Sequence, residues 1–442
     1  MRSPIITGLA AAAVVLGTWA AMPAANAAPA TVGPQPVSAS AAGRALATIP
    51  AGIQRALGLR ALAPDASTGS SVEFGGLSGV ACEHAGDCLG VGEHDNSNGT
   101  SIPTADLWSG SSWRATGLEL PGGAIQGALL ADSYKPGILM AVGQYTRGTH
   151  SYPVDNIWTG NKWGQGPHQP TIPAGESNAV LDSVSCASST FCVASGYYST
   201  AAGQGDDIPL AEVWNGSTWR SSRPEMPSSA VLAVADAVSC PSTTYCVVGG
   251  IYLASNGVQA WADSFDGAHW KALSLPQPQG STPGEWFDEV SGVSCSSVTS
   301  CAIVGTYLGF SVSGGTAPSS TGFAETLNDG AWTVAAVRPS GKNSELNEVD
   351  CLSSTFCVAT GGIGSYSGPL DGEGDVALWN GSTWTPTAIN PGTNIGSQLV
   401  GIDCAGTSYC VAVGARGKFS TLDGAATSAF YNGTSWAQHT AP

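Results

Sequence analysis

Residues 181–196 read LDSVSCASSTFCVASG, and residues 211–219 read AEVWNGSTW. The first of these segments contains a C-x5-C pair, and the same spacing occurs in six places along the chain. The pairs use all 12 cysteines and are Cys82/Cys88, Cys186/Cys192, Cys240/Cys246, Cys295/Cys301, Cys351/Cys357 and Cys404/Cys410. Repetition of this kind, at a period of about 50 residues, indicates a solenoid, a propeller or another repeat array.

Each repeat contains four segments with the pattern of β-strands. The L-x-x-V-S-C and C-V-A-x-G runs alternate apolar and small polar residues, which favours two paired strands over a helix. A third strand ends at a large apolar residue, and a fourth begins at a Trp five positions later. These pairs are Trp108/Trp113, Trp158/Trp163, Trp214/Trp219, Phe265/Trp270, Leu327/Trp332, Trp379/Trp384 and Tyr431/Trp436. Asn-Gly or Asp-Gly lies inside most pairs and supplies the positive φ of a tight hairpin turn.

One repeat keeps the Trp hairpin but has no cysteines. In residues 127–168 the run GILMAVG replaces the second strand, and Ala131 and Leu139 stand near the expected cysteine positions. The predicted fold is therefore all-β, a seven-bladed β-propeller of four-stranded blades, with six blades stapled by a disulfide. The predicted units are about 77–121, 127–170, 181–227, 235–278, 290–339, 346–391 and 399–442. A six-bladed ring with one decayed spacer is the alternative.

The repeats resemble a known family of propeller repeats. The period, the glycines that end the second strand (Gly249-Gly250 and Gly361-Gly362), the Tyr that follows and the later Trp are similar to kelch repeats, as in the central domain of galactose oxidase-like proteins. The resemblance implies a propeller and little about function, because such folds host many activities. Copper oxidase chemistry is not carried over, since it needs a free Cys and every Cys here belongs to a pair.

The N-terminal region has the pattern of an exported protein. Arg2, an apolar stretch over 5–21 and Ala25-Asn26-Ala27 predict a signal peptide over 1–27. Residues 28–70 are predicted to be an Ala/Pro/Ser-rich linker with a short helix, followed by the propeller over 71–442. Export favours disulfides over zinc, because paired zinc ligands usually lie closer together than C-x5-C. We expect a secreted, extracellular protein without membrane insertion.

Charge narrows the range of partners. The net charge is −17 with only 15 Lys and Arg residues, which argues against nucleic acid and against anionic membrane surfaces. We expect a monomer whose partner is an extracellular glycan or a protein.

A recurring position six residues after the second cysteine predicts a binding ring. It carries His94, Tyr198, Tyr252, Tyr307, Ile363 and Arg416, and the cysteine-free repeat offers Tyr145. Trp286 lies nearby, in a predicted loop between blades. Aromatic side chains that end in a polar group can bind sugars or protein loops. The alternative is that these tyrosines pack between blades, as repeated aromatic residues often do.

One acidic segment is a candidate metal site. Asp371, Glu373 and Asp375 alternate along the chain, a spacing that can wrap Ca²⁺. The alternative is a solvated acidic loop, and no other cofactor is expected.

No catalytic constellation stands out, since there is no nucleophile elbow, phosphate loop or dinucleotide fingerprint. The sequence predicts a secreted binding or scaffold propeller whose ligand is a polysaccharide or a protein. Two alternatives are a glycosidase or lyase that uses loop carboxylates and a purely structural envelope protein.

Overall fold

The structure is a computed structural model, and its strands account for most of the repeat region. It describes residues 75–96, 100–118, 120–160, 162–165, 169–170, 176–199, 207–254, 257–276, 286–309, 319–328, 330–337, 343–364, 372–389, 396–418 and 423–440. The predicted signal peptide, the 28–70 linker and Asp371 lie outside these residues.

Seven four-stranded sheets follow one another along the chain. Blade 1 contains β1 (Gly75–His84), β2 (Asp87–Asp95), β3 (Ser101–Trp108) and β4 (Trp113–Ala115). Blade 2 contains β5 (Gln126–Lys135), β6 (Ile138–Arg147), β7 (His150–Trp158) and β8 (Trp163–Gln165). Blade 3 contains β9 (Ser177–Ser188), β10 (Phe191–Ser199), β11 (Asp207–Trp214) and β12 (Trp219–Ser222). Blade 4 contains β13 (Leu232–Ser242), β14 (Tyr245–Ala254), β15 (Gly257–Phe265) and β16 (Trp270–Ala272).

The remaining blades have the same plan. Blade 5 contains β17 (Trp286–Ser297), β18 (Ser300–Gly309), β19 (Ser319–Asn328) and β20 (Ala331–Ala336). Blade 6 contains β21 (Asn343–Ser353), β22 (Phe356–Gly364), β23 (Glu373–Trp379) and β24 (Trp384–Ile389). Blade 7 contains β25 (Gly396–Gly406), β26 (Tyr409–Lys418), β27 (Asp423–Tyr431) and β28 (Trp436–Thr440). The predicted seven-bladed propeller is confirmed.

The first strands of the blades form the inner ring. Each one contacts the first strand of the next blade, from β1 and β5 through to β25, and β25 in turn contacts β1. Every blade consists of four antiparallel strands that are consecutive in sequence. The ring is therefore closed by contacts between blade faces. A short parallel pairing of Gly257 with Trp286 also joins blades 4 and 5.

All six predicted disulfides are confirmed. Each bridge links the first strand of a blade to its second strand, and the pairs are Cys82–Cys88, Cys186–Cys192, Cys240–Cys246, Cys295–Cys301, Cys351–Cys357 and Cys404–Cys410. No cysteine is left free. Both cysteines of every pair are buried in an apolar cluster with residues of a neighbouring blade. The bridges therefore staple the strands at the seams where blades meet.

A belt of hydrogen bonds crosses the same seams. The peptide N–H of the first cysteine donates a hydrogen bond to a side chain of the preceding blade. The donor and acceptor pairs are Cys82/Asp403, Cys186/Ser133, Cys240/Ser185, Cys295/Ser239, Cys351/Ser294 and Cys404/Asp350, at 2.8–3.1 Å. These bonds connect neighbouring inner strands, including blade 7 to blade 1.

The hydrogen-bond belt identifies the residues of blade 2 that stand at the cysteine positions of the other blades. In the other bonds of the belt the acceptor directly precedes a first cysteine, and in blade 2 the acceptor is Ser133. Tyr134 therefore occupies the place of the first cysteine, and it pairs directly with Leu139. Leu139 therefore stands at the second cysteine position, whereas Ala131 lies three residues before the first one and pairs with Val142. The turn of blade 2 is one residue shorter than the disulfide-bridged turns.

The Trp hairpins hold neighbouring blades together. The two rings of each aromatic pair lie 5.0–5.5 Å apart. Several indole N–H groups of the fourth strand donate to the preceding blade at 2.9–3.0 Å, in the pairs Trp113/Ser428, Trp163/Thr116, Trp219/Asp155 and Trp270/Ser222. The predicted Asn-Gly turns are confirmed at Asn215, Asn380 and Asn432, whose side chains accept backbone N–H bonds within their turns.

Candidate functional site

The two ends of the propeller differ in character. The turns with the disulfides and the Trp hairpins lie at one end, which we call the disulfide face. The turns between second and third strands and the connections between blades lie at the other end, the loop face.

The cysteines of the disulfide face are structural and do not form a contact surface for a ligand. The second cysteine of each pair is the more deeply enclosed on average, and Cys192, Cys246, Cys357 and Cys410 have almost no exposed surface. Their sulfurs are bonded to Cys186, Cys240, Cys351 and Cys404 respectively, so none can act as a nucleophile or a metal ligand. A ligand site has to be sought among residues other than the cysteines.

The predicted tyrosine ring lies at the loop-face end of the second strands. Tyr145, Tyr198 and Tyr307 are only 8%, 7% and 7% exposed, and Tyr252 is partly exposed. The residues opposite Tyr145 and Tyr198 on the first strand are small, Gly127 and Ala179. The rings therefore have room to lie over their own blade and pack against the preceding one. This placement supports the packing alternative for Tyr145 and Tyr198, while the Tyr307 ring lies 6.4 Å from that of Phe323 in its own blade.

We expect Tyr198→Ala to destabilise the protein by about 3 kcal/mol. Tyr198 belongs to the buried cluster between blades 2 and 3, with Val142 and Leu181, and truncation of a buried aromatic residue leaves a cavity. Urea unfolding of the variant and the wild type measures this loss. A binding defect with unchanged stability would instead return Tyr198 to the proposed ligand contacts.

The other predicted ring members have different surroundings. His94 is exposed and Arg416 is partly exposed. Trp286 was predicted in a loop between blades, but it is the first residue of β17, where its backbone pairs with Gly257. The structure adds Arg147, whose guanidinium lies 5.5 Å from the ring centre of Tyr145 and 5.9 Å from that of Tyr152. Tyr145 and Tyr152 stack at 5.4 Å. This small cation–aromatic patch was not predicted.

Two members of the predicted Ca²⁺ segment are described. Glu373 is partly exposed, whereas Asp375 is fully buried. Burial raises the pKa of Asp375 to about 7. Ala377 lies two residues later on the same face of β23 and packs with blade 5. Asp375 therefore faces the interface between blades 5 and 6. A shared Ca²⁺ site for this segment stays a hypothesis.

A groove between blades 6 and 7 has the features of a binding site. Its volume is about 510 Å³, and it runs along the outer strands of both blades. Blade 7 contributes Tyr431, Trp436 and Gln438, with the two aromatic rings 5.2 Å apart. Blade 6 contributes Val376, Leu378, Asn380, Thr385, Thr387 and Ile389 among others. All lining residues are uncharged, in a protein whose net charge is −17.

At the groove the fourth-strand indole lacks the acceptor that the corresponding indoles have in blades 1 to 4, as is also the case for Trp384 of blade 6. In blades 1 and 3 the fourth-strand indole donates to a residue three positions before the end of a third strand, in the pairs Trp113/Ser428 and Trp219/Asp155. The corresponding residue of blade 6 is Val376, which offers no acceptor to Trp436. Among the described residues no hydrogen bond to the Trp436 indole is formed, and its ring is partly exposed. The indole N–H is therefore available to a ligand.

The second difference concerns buried carboxyl groups. Two residues before the end of the third strand, four blades carry a buried acid: Asp106, Glu212, Asp263 and Glu325. Burial raises their pKa values to about 6, 7, 6 and 8 respectively. Blades 6 and 7 carry Ala377 and Ala429 at this position. This position faces the preceding blade, so the interface of blade 6 with blade 5 and that of blade 7 with blade 6 hold no acid there.

Comparison with known proteins supports the fold. No protein-family model matches the chain, and neither does any curated protein. The structure is similar to a polysaccharide lyase of family PL25, an ulvan lyase, with a TM-score of 0.51, 10% identity, and coverage of 84% of this chain and 97% of the lyase.

Two further structures are similar. One is the β-propeller domain of the Trilobed protease from Pyrococcus furiosus, with an open velcro topology (TM-score 0.46, 9% identity, 83% of this chain and 97% of that domain). The other is YCF48 from Cyanidioschyzon merolae (TM-score 0.44, 13% identity, 78% of this chain and 94% of that protein). At these identities the similarity concerns the fold and nothing finer. The described part of the chain contains no helix with the length and hydropathy of a membrane span.

Proposed function

We propose that the protein is an extracellular binding module that holds a polysaccharide in the groove between blades 6 and 7. One observation supports this most directly: the Trp436 indole lies in an uncharged groove without the acceptor that the corresponding indoles have in blades 1 and 3. The six disulfides favour an oxidising compartment, where such a ligand would be met.

The chemistry of the groove suits a sugar chain. An aromatic face packs against the apolar C–H face of a sugar ring, while an indole N–H donates to a sugar oxygen. The hydroxyl groups of Thr385 and Thr387 can both donate and accept. The amide oxygen of Asn380 already accepts hydrogen bonds within its own turn, so Asn380 offers its NH₂ group as a donor. Because a buried ionic group without a partner is costly, an uncharged lining favours neutral sugars over uronates or sulfated sugars.

Replacement of Trp436 by Ala is expected to weaken polysaccharide binding at least tenfold. The substitution removes both the stacking surface and the indole donor, and the ring is only partly buried, so the fold is retained. Affinity electrophoresis against neutral glucans, xylans, mannans and galactans, with uronate-rich and sulfated polymers for comparison, measures the effect. The melting temperature of each variant checks that folding is intact.

Two variants serve as matched controls. Val376→Thr has nearly the same shape and supplies the hydroxyl acceptor that Ser428 gives to Trp113. It is expected to weaken binding while keeping the Trp436 ring, because the indole N–H then has a partner within the protein. Tyr152→Ala removes an aromatic ring on the loop face and is expected to leave binding unchanged. Loss of binding in the Tyr152 variant alone would contradict the groove and favour the loop face.

The outcomes also separate the other functions. Cleavage of a polymer during the assay would favour a glycosidase or lyase. No binding to any polymer, together with capture of a protein from the extracellular medium, would favour the scaffold alternative.

A further inference from the structure

We infer that the disulfide-bridged turn of blade 1 binds a divalent first-row transition-metal ion such as Zn²⁺. Within this turn, ligand atoms of Glu83, His84 and Asp87 all lie within 4.8 Å of one another. An imidazole nitrogen of His84 is 3.8 Å from a carboxylate oxygen of Asp87. One ion can contact all three groups after small side-chain rotations, since these side chains are solvent-accessible.

A β-bulge explains how neighbouring residues can share one ion. In a regular strand Glu83 and His84 would point to opposite faces. Here Cys82 pairs with Cys88 and His84 pairs with Asp87, so an extra residue is inserted between the two pairings. A bulge of this kind places two residues opposite one and redirects a side chain. Glu83 is thereby brought to the same edge of the turn as His84 and Asp87.

The turn is also restrained on both sides. The Cys82–Cys88 disulfide closes it, which limits the conformations that the ligands must lose on binding. From blade 2, the hydroxyl of Tyr134 donates a hydrogen bond of 3.0 Å to Glu83. Tyr134 stands at the position where the other blades have their first cysteine. The turn of blade 2, which has no disulfide, therefore holds the metal ligand Glu83 of blade 1 in place.

The five other bridged turns provide an internal comparison. Their intervening sequences are ASSTF, PSTTY, SSVTS, LSSTF and AGTSY. They have the same spacing and the same position in the blade, yet none contains a His, Asp or Glu residue. The metal-binding residue types are therefore confined to one of six equivalent turns. The general acidity of the surface does not explain this confinement to a single turn.

The donor set indicates the class of ion. An imidazole nitrogen with two carboxylates suits Zn²⁺ and its first-row neighbours, whereas Ca²⁺ and Mg²⁺ prefer oxygen ligands alone. Three protein ligands leave at least one coordination position for water or for a donor from another molecule.

The test is isothermal titration of the purified protein with Zn²⁺, followed by the same titration of variants. We expect one ion per chain and at least a tenfold weaker affinity for His84→Ala. The matched control is a graft in blade 5, Ser296→Glu/Ser297→His/Ser300→Asp. That turn has the same bulge, with Cys295 paired to Cys301 and Ser297 paired to Ser300, so the graft is expected to raise the stoichiometry to two.

Three results would overturn the inference. The first is that the wild-type protein does not bind Zn²⁺. The second is that His84→Ala leaves the affinity for Zn²⁺ unchanged. The third is that the protein binds Ca²⁺ more tightly than Zn²⁺. A graft without a second ion would overturn the role given to the bulge. Because no glycan is present in these titrations, the result is independent of the groove between blades 6 and 7.

Discussion

Reduction and alkylation of all six disulfides are expected to unfold the protein at room temperature. Each bridge closes a loop with a sequence separation of 6, and closure of so short a loop contributes about 2 kcal/mol through chain entropy. Six such contributions are comparable with the whole free energy of unfolding of a typical domain, about 5–15 kcal/mol. The cysteines are also buried, so their alkylation is incompatible with the packing between blades.

Circular dichroism after alkylation in denaturant and removal of the denaturant measures this effect. The matched variant is Cys186→Ala/Cys192→Ala, which removes one bridge and is expected to lower the free energy of unfolding by about 2–4 kcal/mol. Without denaturant, a reducing agent is expected to act slowly, because the sulfurs are shielded. A reduced and alkylated chain that keeps a cooperative melting transition would show that face-to-face packing alone sustains the ring.

Stability is expected to fall as the pH rises from about 4 to 8. Burial raises the pKa of Glu325 to about 8, and the charge of nearby Asp288 contributes to the increase. Burial also raises the pKa of Asp288 to about 7, while unfolded Asp and Glu titrate near pH 4. Between these pH values the folded protein holds protons that the unfolded chain has released, so its free energy of unfolding decreases with pH.

The size of this effect follows from the number of groups. A tenfold preference for the protonated form corresponds to about 1.4 kcal/mol. Asp106, Glu212, Asp263 and Asp375 share the raised pKa values of about 6–7. We therefore expect a loss of several kcal/mol across the range, with the highest melting temperature near pH 4–5.

Two variants separate this effect from the general acidity of the chain. Glu325→Gln is expected to raise the melting temperature at pH 8 and to change it little at pH 4. Glu83→Gln makes the same charge change at an exposed position, and in a buffer with a chelator it is expected to have little effect at either pH. Equal effects of the two variants would attribute the pH dependence to net charge.

The fold could be predicted because its markers recur. Cysteine pairs and Trp pairs appear at a fixed spacing in nearly every blade, so the strand count, the turns and the disulfides follow from local rules. The acids at Asp106 and Glu212 also recur, two residues before a large apolar residue, and this pattern was visible in the sequence. Their burial was not, because it depends on which blade each strand faces.

The candidate site was harder to predict for the opposite reason. The groove is lined by Val376 and Ala377 of blade 6, at positions where blade 7 has the acceptor Ser428 and blade 5 has the buried acid Glu325. The positions that the repeats share include Tyr145, Tyr198 and Tyr307, all of which are buried. The second proposed ligand site depends instead on a departure from the repeat, namely Glu83, His84 and Asp87 in the turn of blade 1.

The closure of the ring by blade faces bears on how such a protein can be rearranged. The seam between blades 7 and 1 is built from the same kinds of contact as the other seams: Asp403 accepts from the Cys82 N–H, and Trp113 donates to Ser428. No blade depends on a strand from a distant part of the chain among the described residues. Circular permutants cut between any two blades therefore keep every sheet whole, and blade duplication can proceed one unit at a time.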